Sequence, residues 1–322
     1  MMTQLRSLWD RLAHARVWVP LLSHAEQTRL SWARVARSWD EVPQDFRHAL
    51  ATVSGRTQDL PYTVLTPSFQ GFLRRPGEKL ICTFGDEIWV MDKVQNRAMT
   101  TCYPVGEISS IEAGSVLLKA WITIRGVDRS GALSASTLEF NAVGEGLLTP
   151  IVARGRPGPD TSGGVDHGAE IDKFKCLAPL NFKFMNYARR TIVPGERVIQ
   201  FVLQPEVRAE APRLLGRTWW GRIYPAHLTV LTDKELIDIR DEPGVRWNPD
   251  AKHGGIWTYV PLAKVVGTSL GKAEDRMVAV AVDLAGGDRV ELVFSGSREE
   301  EVMGLVNNLT TKDTKATKVV GQ

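Results

Sequence analysis

The sequence contains no long run of apolar residues, few cysteines and few histidines. No stretch of about 18 consecutive apolar residues occurs, so no membrane-spanning helix is predicted. The three cysteines, Cys82, Cys102 and Cys176, form no C-x-x-C pair, and we expect reduced, buried thiols. None of the six histidines stands in a metal-binding spacing, so no metal site is predicted. The first 20 residues lack the apolar core of a signal peptide, and the expected location is the cytoplasm.

Motifs that mark catalysis or phosphate binding are missing as well. The chain contains neither G-x-x-x-x-G-K-[ST] nor G-x-S-x-G. We therefore predict a protein that is not an enzyme and that binds no cofactor. An enzyme with a site between two domains is the less favoured alternative. It would need a deep pocket that holds two or more titratable groups with strongly shifted pKa values.

The net charge of +3 is small and unevenly distributed. Residues 1–58 carry eight Lys or Arg against five acidic residues, and residues 311–322 carry three Lys against one Asp. The residues between these two segments therefore have a net charge of −2. Because affinity for nucleic acid comes from neutralising many phosphates, nucleic acid is not an expected partner.

The N-terminal arm, residues 1–58, has a helical period. The pattern predicts an amphipathic helix over 3–17 and further helices over about 24–39 and 44–53. The apolar stripe of the first helix consists of Leu5, Leu8, Trp9 and Leu12. The arm also holds four tryptophans: Trp9, Trp18, Trp32 and Trp39. We expect them to pack on the domains that follow or on a second copy of the chain; a helix on a membrane surface is the alternative.

From residue 59 onward the apolar period changes to two, which is typical of strands. The predicted strands are 79–84, 87–92, 99–103, 107–112, 116–125 and 133–140 in a first group, and 197–203, 226–232, 235–240, 256–260, 264–270, 277–284 and 289–294 in a second. A helix follows each group, with Asn141 as the N-cap of the first and Ser297 with Glu300 as a capping box for the second. Residues 311–322 read as a disordered polar tail.

The segment between the two strand groups is rich in Gly, Pro, Ser and Asp. Residues 156–181 are predicted to be a flexible linker, and His167 within it a solvated loop histidine. The two groups repeat each other, since Pro76-Gly77-Glu78 before one strand returns as Pro194-Gly195-Glu196 before another. The sequence thus predicts a domain at 59–155, a linker at 156–181 and a second domain at 182–310.

Each half also contains a tight hairpin followed by a Tyr-and-Pro strand entry. In the second half the hairpin is Thr232-Asp233-Lys234-x-Leu236 between apolar runs, and the entry is Tyr259-Val260-Pro261. This pattern resembles bacterial pleckstrin-homology-like (PH-like) domains, which often carry an LTD-x-x-L hairpin and a similar entry. The first half departs from it, with Gly85-Asp86-Glu87 at the turn. The resemblance covers about 70–155 and 185–310.

The resemblance implies a mainly β fold with α-helices (α+β). Two partly open β-barrels are expected, each closed by a C-terminal helix and preceded together by the helical arm. It also implies that basic residues near the loop at 205–225 bind a phosphoinositide headgroup. The candidate residues in that loop are Arg213, Arg217, Trp219, Trp220 and Arg222. Alternatively, the loop packs against the first domain or the arm. The first half is expected to lack a matching loop, because about three residues separate its first two predicted strands.

These observations favour a binding or scaffold protein that recognises a protein partner or self-associates as a homo-oligomer. The alternative is a peripheral membrane protein at the inner membrane face, which would bind anionic lipid headgroups through the loop at 205–225.

Overall fold

The computed structural model describes most of the chain after the first 31 residues. The described residues are 32–53, 59–68, 77–94, 97–160, 163–208, 213–214, 217–218, 223–242 and 254–316, with the backbone alone at 213–214, 217–218 and 311–316. The helix predicted at 3–17 lies outside the described residues. The protein is mainly β, with antiparallel sheets and several helices, as an α+β fold requires.

The first half of the molecule consists of β2 to β8 and helix α2, preceded by β1 and α1. Its elements in chain order are β1 (Arg34–Ala36), α1 (Gln44–Val53), β2 (Tyr62–Thr66), β3 (Lys79–Phe84), β4 (Glu87–Val94), β5 (Arg97–Pro104), β6 (Ile108–Val116), β7 (Lys119–Val127), β8 (Leu133–Asn141) and α2 (Glu145–Arg154). Strands β1 to β5 form one antiparallel sheet in chain order.

The connecting segment, residues 155–197, contains two helices. They are α3 (His167–Asp172), which continues into a 3₁₀ turn at Lys173–Leu177, and α4 (Phe182–Thr191). The side chains of Asp166 and Asn181 accept hydrogen bonds from backbone N–H groups in the first turn of α3 and α4, as N-caps do.

The second half consists of β9 to β19 and helix α5. Its elements are β9 (Val198–Gln204), β10 (Val207–Arg208), β11 (Arg213–Leu214), β12 (Arg217–Thr218), β13 (Ile223–Tyr224), β14 (His227–Thr232), β15 (Glu235–Arg240), β16 (Gly255–Pro261), β17 (Val265–Lys272), β18 (Met277–Leu284), β19 (Arg289–Ser295) and α5 (Glu299–Ala316). Strands β17 to β19 form a three-stranded sheet.

A single seven-stranded sheet joins the two halves. Its order is β8-β7-β6-β16-β15-β14-β9, so β6 of the first half pairs directly with β16 of the second. The two strands are antiparallel, with Ala113 opposite Trp257 and Ile111 opposite Tyr259. The backbone hydrogen bonds of this pairing fix the halves in one orientation.

The halves repeat one order of elements: a four-stranded meander, a 3₁₀ turn, a three-stranded meander and a helix. In both halves the fifth strand bears a bulge at the same place, between Ile108 and Ser110 in β6 and between Val265 and Gly267 in β17. Such a bulge bends a strand, which lets one meander turn over the other.

The hairpin of each half makes the same contact with the 3₁₀ turn that follows its meander. Val105 N–H donates to Asp86 O at 2.8 Å, and Leu262 N–H donates to Lys234 O at 2.9 Å. The turns achieve this with different chemistry. Gly85 has a φ of +55°, whereas in the second half Thr232 Oγ1 accepts from the N–H of Glu235 at 2.9 Å. The predicted hairpin is thus confirmed in both halves.

The seven-stranded sheet buries both of its faces. Face 1, which carries Ile122, Trp257 and Ile239, packs against the five-stranded sheet, α2 and the helices of the connecting segment in one core cluster. Face 2, which carries Val202 and Leu236, packs against β17 to β19 and α5 in a second cluster. Helix α1 covers the other side of the five-stranded sheet through Phe46 and Leu50.

Several sequence predictions about the arm and the termini are wrong. The helix predicted to 39 is replaced at its end by β1, because Val35 and Ala36 pair with Val64 and Thr63. The helix predicted at 44–53 is confirmed. Helix α5 continues to Ala316, into the segment predicted to be a disordered tail.

A 3₁₀ turn precedes α5, and its N-cap is Ser295, whose Oγ accepts from Ser297 N–H, rather than the predicted Ser297 with Glu300. Asn141 likewise accepts from Val143 N–H and caps the 3₁₀ turn that leads into α2, whereas the N-cap of α2 itself is Gly144, so the predicted cap lies one turn early. Cys176 is exposed, contrary to the expectation of three buried thiols. Burial raises the pKa of Cys82 and Cys102 to about 12, so neither is a reactive thiolate at neutral pH.

The connecting segment buries more surface than its composition suggested. Phe174 and Leu177 are buried in the core cluster on face 1, and His167 begins α3 as a half-buried residue. The prediction of a segment without its own packed structure is therefore wrong for 167–177. Glycine and proline are concentrated in residues 155–164. This stretch led to the linker prediction for the whole segment, although apolar residues follow it.

The Pro-Gly-Glu repeat aligned strands that are not equivalent. It matched 79–84 with 197–203, but β3 is the second strand of its meander and β9 is the first of its own. Strand β2 was not predicted. Since residues 67–78 connect β2 to β3, the prediction of only about three residues between the first two strands of this half is wrong.

Candidate functional site

A groove between helices α2 and α4 forms a cavity in the described structure. It has a volume of about 530 Å³, and its floor is the part of face 1 where the two halves meet. The floor includes Ala113 and Ile122 from the first half and Trp257 and Tyr259 from the second. Cavities of this size are typical of ligand sites.

The two helices start at the same end of the sheet and run in the same direction. Ala142 N–H donates to Leu118 O, which places the start of α2 at the β6–β7 turn. Lys183 Nζ lies 2.6 Å from Asp241 Oδ1, which places the start of α4 at the end of β15. We call this end of the groove the open end. Arg156 and Thr191 lie at the other end, which we call the closed end.

Two glycines make room for the aromatic side chains along the groove. A Cβ on Gly255 would lie 2.9 Å from Cε2 of Tyr187, whose ring centroid is 4.8 Å from that of Trp257. A Cβ on Gly114 would lie 2.1 Å from the indole of Trp121. Because glycine has no side chain, the ring of Tyr187 packs directly on the backbone at Gly255, and the ring of Trp121 does so at Gly114.

A buried ion pair forms the closed end. Arg156 binds both carboxylate oxygens of Glu235, and its Nη2 also donates to Thr191 O at 2.8 Å. The guanidinium carbon lies 4.0 Å from the ring centroid of Tyr259. Burial alone would lower the pKa of Arg156, but the hydrogen bond and charge of Glu235 outweigh it and raise that pKa. The pair connects Arg156, two residues after the end of α2, with β15, so it also links the end of the first half to the second half.

Glu196 lies behind this ion pair and is fully buried. Burial, followed by the negative charge of Glu235, raises the pKa of Glu196 to about 8. One carboxyl oxygen, Oε2, accepts from Val193 N–H at 3.2 Å, and the other has no hydrogen-bond partner as an ionised group. A protonated Glu196 donates to Glu235 and so satisfies that oxygen. We therefore expect Glu196 to be protonated at neutral pH.

Two rim residues supply charge of opposite sign. Glu145 on α2 and Arg190 on α4 line the groove, are exposed and form no ion pair within the described part of the chain. Burial raises the pKa of Tyr187 on α4, with contributions from Asp241 and Glu145, and Arg190 opposes the shift. The groove therefore combines an aromatic floor with one carboxylate and one guanidinium at its rims.

A smaller cavity of about 220 Å³ lies beside the base of the 205–225 loop. It is lined by His227, Asp238 and Arg240, among others. Burial lowers the pKa of His227 and outweighs the charge of Asp238, so the imidazole is neutral. Its Nδ1 lies 3.4 Å from Pro225 O, and its Nε2 is buried without a hydrogen-bond partner.

Of the predicted site residues in the 205–225 loop, the structure describes the backbone of two. Arg213 and Arg217 lie in β11 and β12, where Arg213 is opposite Thr218 and Leu214 is opposite Arg217, and only their backbone is described. The predictions for Trp219, Trp220 and Arg222 lie outside the described residues.

Sequence reasoning missed the groove residues because it assigned α4 and its surroundings to no element. The apolar positions Phe184, Met185 and Ala188 recur at helical spacing, and Asn181 is a good N-cap. These signals were available to predict α4. The meeting of α2 with α4 depends on the β6–β16 pairing, and nothing local in the sequence encodes that pairing.

Comparison with known proteins gives no family for this chain. No family model and no curated protein sequence matches it. Among the described helices, none combines the length and apolar character needed to cross a membrane. The residues that the structure describes contain no cluster of three or more His, Cys, Asp or Glu side chains able to hold a metal ion.

Proposed function

We propose that this chain is a non-enzymatic binding protein built from two PH-like units, and that the groove between α2 and α4 receives a segment of a protein partner. The PH-like assignment is supported by the order of elements in each half and by the LTD-x-x-L hairpin at β14–β15. The observation that carries the binding proposal is the groove itself, which lies at the junction of two halves joined by one sheet.

The chemistry of the groove favours an amphipathic peptide segment. The aromatic floor is suited to apolar side chains. Arg190 and Glu145, which form no ion pair with another described residue, are suited to an acidic and a basic side chain of the partner. The groove is as long as α2, whose ten residues span about 15 Å. A segment of about ten residues in a helix, or about five in an extended conformation, covers that length.

The titratable groups support binding in preference to catalysis. Glu196 has the carboxyl pKa nearest neutrality among the shifted groups, but it lies behind the ion pair and does not line the groove. Arg156 lines the groove, yet its Nε and Nη2 already donate to Glu235 and Thr191. The pKa of Tyr259 is raised chiefly by burial. Each shift thus has a structural cause that involves no reacting group.

A library of random linear peptides displayed on phage tests this function. We expect the full chain to enrich peptides with apolar or aromatic residues and an acidic residue. Selected peptides should bind with a Kd of about 1–100 µM by fluorescence anisotropy, as is common for short segments in grooves. R190E should weaken binding by about tenfold or more, because an attractive charge becomes repulsive.

R97E is the matched control for this experiment. Arg97 is also exposed and has no ion pair within the described residues, but it lies on β5, away from the groove. Its variant should bind selected peptides as the wild type does. No enrichment over an unrelated protein, or equal affinity of R190E and the wild type, would contradict the proposed function.

A second candidate function, peripheral membrane binding, is favoured by exposed apolar residues at the open end. We call this surface the apolar end, and it consists of Leu117, Leu118, Val143, Leu180 and Phe182, each more than 60% exposed. The loop at 205–225, with the predicted Arg213, Arg217, Trp219, Trp220 and Arg222, leaves the sheet at this end through β10 and β13. Apolar residues beside basic ones are suited to an anionic lipid surface.

Co-sedimentation with vesicles containing phosphatidylserine decides this second candidate. L117D/L118D should lose binding at low salt, and the control M99D/V266D should keep it, because Met99 and Val266 are as exposed but lie on other surfaces. Absence of wild-type binding, or equal binding of the two double variants, removes the membrane as a partner.

A further inference from the structure

The described chain begins next to the open end of the groove. Ala33 is buried in the core cluster on face 1. It lies so close to Gly144, the residue before α2, that a Cβ on Gly144 would be 2.8 Å from the Cβ of Ala33. Residues 1–31 therefore join the described chain close to Gly144, which directly precedes the rim residue Glu145.

The arm is long enough to reach every part of the groove. The groove spans about 15 Å, the length of a ten-residue helix. The 14 residues 18–31 can extend over about 45 Å. The segment 3–17, for which the sequence predicts an amphipathic helix, can therefore lie along the groove with slack in the connection.

The chemistry of segment 3–17 matches that of the groove. Its stripe of Leu5, Leu8, Trp9 and Leu12 is apolar and aromatic, as the groove floor is. A helix of this length is marginal in water unless its apolar face is covered. Arg6 and Arg11 are suited to Glu145, and Asp10 is suited to Arg190. Segment 3–17 thus carries basic side chains that can pair with Glu145 and an acidic side chain that can pair with Arg190.

We propose that segment 3–17 of the N-terminal arm occupies the groove in the resting protein and that a partner segment binds by displacing it. This proposal deepens the proposed function, because it concerns regulation of the same groove. A tethered segment acts at an effective concentration of the order of millimolar. The apparent affinity of a free partner segment is therefore its intrinsic affinity multiplied by the fraction of time that the groove is empty.

A photo-crosslinking amino acid in the full chain tests this inference. p-Benzoylphenylalanine replaces Thr149, an exposed residue on the groove wall of α2, or Met303, the exposed residue at the equivalent position of α5. Irradiation of dilute protein is followed by digestion and mass spectrometry of the monomer. We expect crosslinks from position 149 to residues within 1–31, and none from position 303. The same amino acid in place of Arg190, on the opposite wall, repeats the test in case the label at position 149 blocks the groove.

The arm variants provide an independent readout. L8D/W9D should reduce crosslinking and raise the affinity for selected peptides by about tenfold. S7D/H14D, on the opposite side of the predicted helix, should change neither. The inference is wrong if positions 149 and 190 both fail to crosslink to 1–31, if 303 does so equally, or if crosslinks form only between two chains. If selected peptides still bind the groove in those cases, the proposed function stands and only the inference about segment 3–17 fails.

Discussion

The two halves of this protein have the same scaffold but expose different surfaces, and the comparison indicates where recognition resides. Leu148 and Ile151 of α2 are buried as Val302 and Leu305 of α5 are, at the same places in the two helices. Thr149, which follows Leu148, and Met303, which follows Val302, are both exposed. In the first half this residue, Thr149, borders the groove, because α4 of the connecting segment lies opposite it. The binding surface therefore comes from the segment between the repeats.

The inter-half ion pair should give the largest effect on stability. R156M removes the partner of Glu235 and leaves two carboxyl groups in a buried site. We expect the free energy of unfolding to fall by about 3–5 kcal/mol in urea denaturation. R154M is the control, since Arg154 is 44% exposed and pairs with the exposed Asp86, and it should cost about 1 kcal/mol or less. Equal losses for the two variants would show that the buried pair does not hold the halves.

The equivalent helices should respond alike to loss of their buried side chains. I151A and L305A each leave a cavity in a core cluster, so each should lower the free energy of unfolding by about 2–5 kcal/mol. M303A, at an exposed position, should change it by less than about 1 kcal/mol. If one buried substitution is nearly neutral, the helices do not close their halves in the same way.

The buried carboxyl pair consists of Glu196 in the connecting segment and Glu235 in β15, and it predicts a dependence of stability on pH. The pKa of Glu196 is raised in the folded state to about 8, so the folded protein binds a proton that the unfolded chain releases near pH 4.5. This contribution to stability is present at low pH and is lost as pH rises toward 8, with a slope of at most about 1.4 kcal/mol per pH unit.

E196Q keeps the hydrogen-bond donor without the titration, and it should therefore flatten this slope between about pH 5 and 8. E291Q, at an exposed position of β19, is the control and should leave the slope unchanged. Urea midpoints measured across this pH range give the slopes. The assignment of a raised pKa to Glu196 is contradicted if the stability of the wild type, relative to that of E196Q, rises with pH over this range.

The two helix caps should show the smallest effects and the closest match. N141A and S295A each remove a side-chain acceptor for the N–H two residues later. Each should lower the thermal midpoint by an amount that corresponds to about 1 kcal/mol. Calorimetry that finds a loss in one half alone would limit the repeat to backbone topology.

Local patterns predicted the strands well, and they failed where a distant partner decides the structure. Strands β3, β15 and β18 have the bounds that alternation and turn residues predicted, since one face of each contacts a core. Residues 34–36 were assigned to a helix because the apolar residues around them recur near helical spacing, and pairing with β2 overrides that local pattern.

The candidate site was less predictable than the fold. The loop at 205–225 attracted attention because Arg and Trp cluster there in sequence, whereas the groove residues are distributed over six strands and helices. Trp121 and Trp257 lie in correctly predicted strands, but only the β6–β16 pairing brings the elements that carry them together. A short apolar helix such as α4 is also hard to separate from a linker when glycines and prolines precede it.

Hydrogen–deuterium exchange of the full chain, with and without a selected peptide, tests the central claim most directly. The account predicts slower exchange of the backbone amides of α2, α4 and β16 in the complex, and no change in α5, the equivalent helix of the second half. Protection confined to α5, to the apolar end or to the 205–225 loop would contradict the assignment of recognition to the groove.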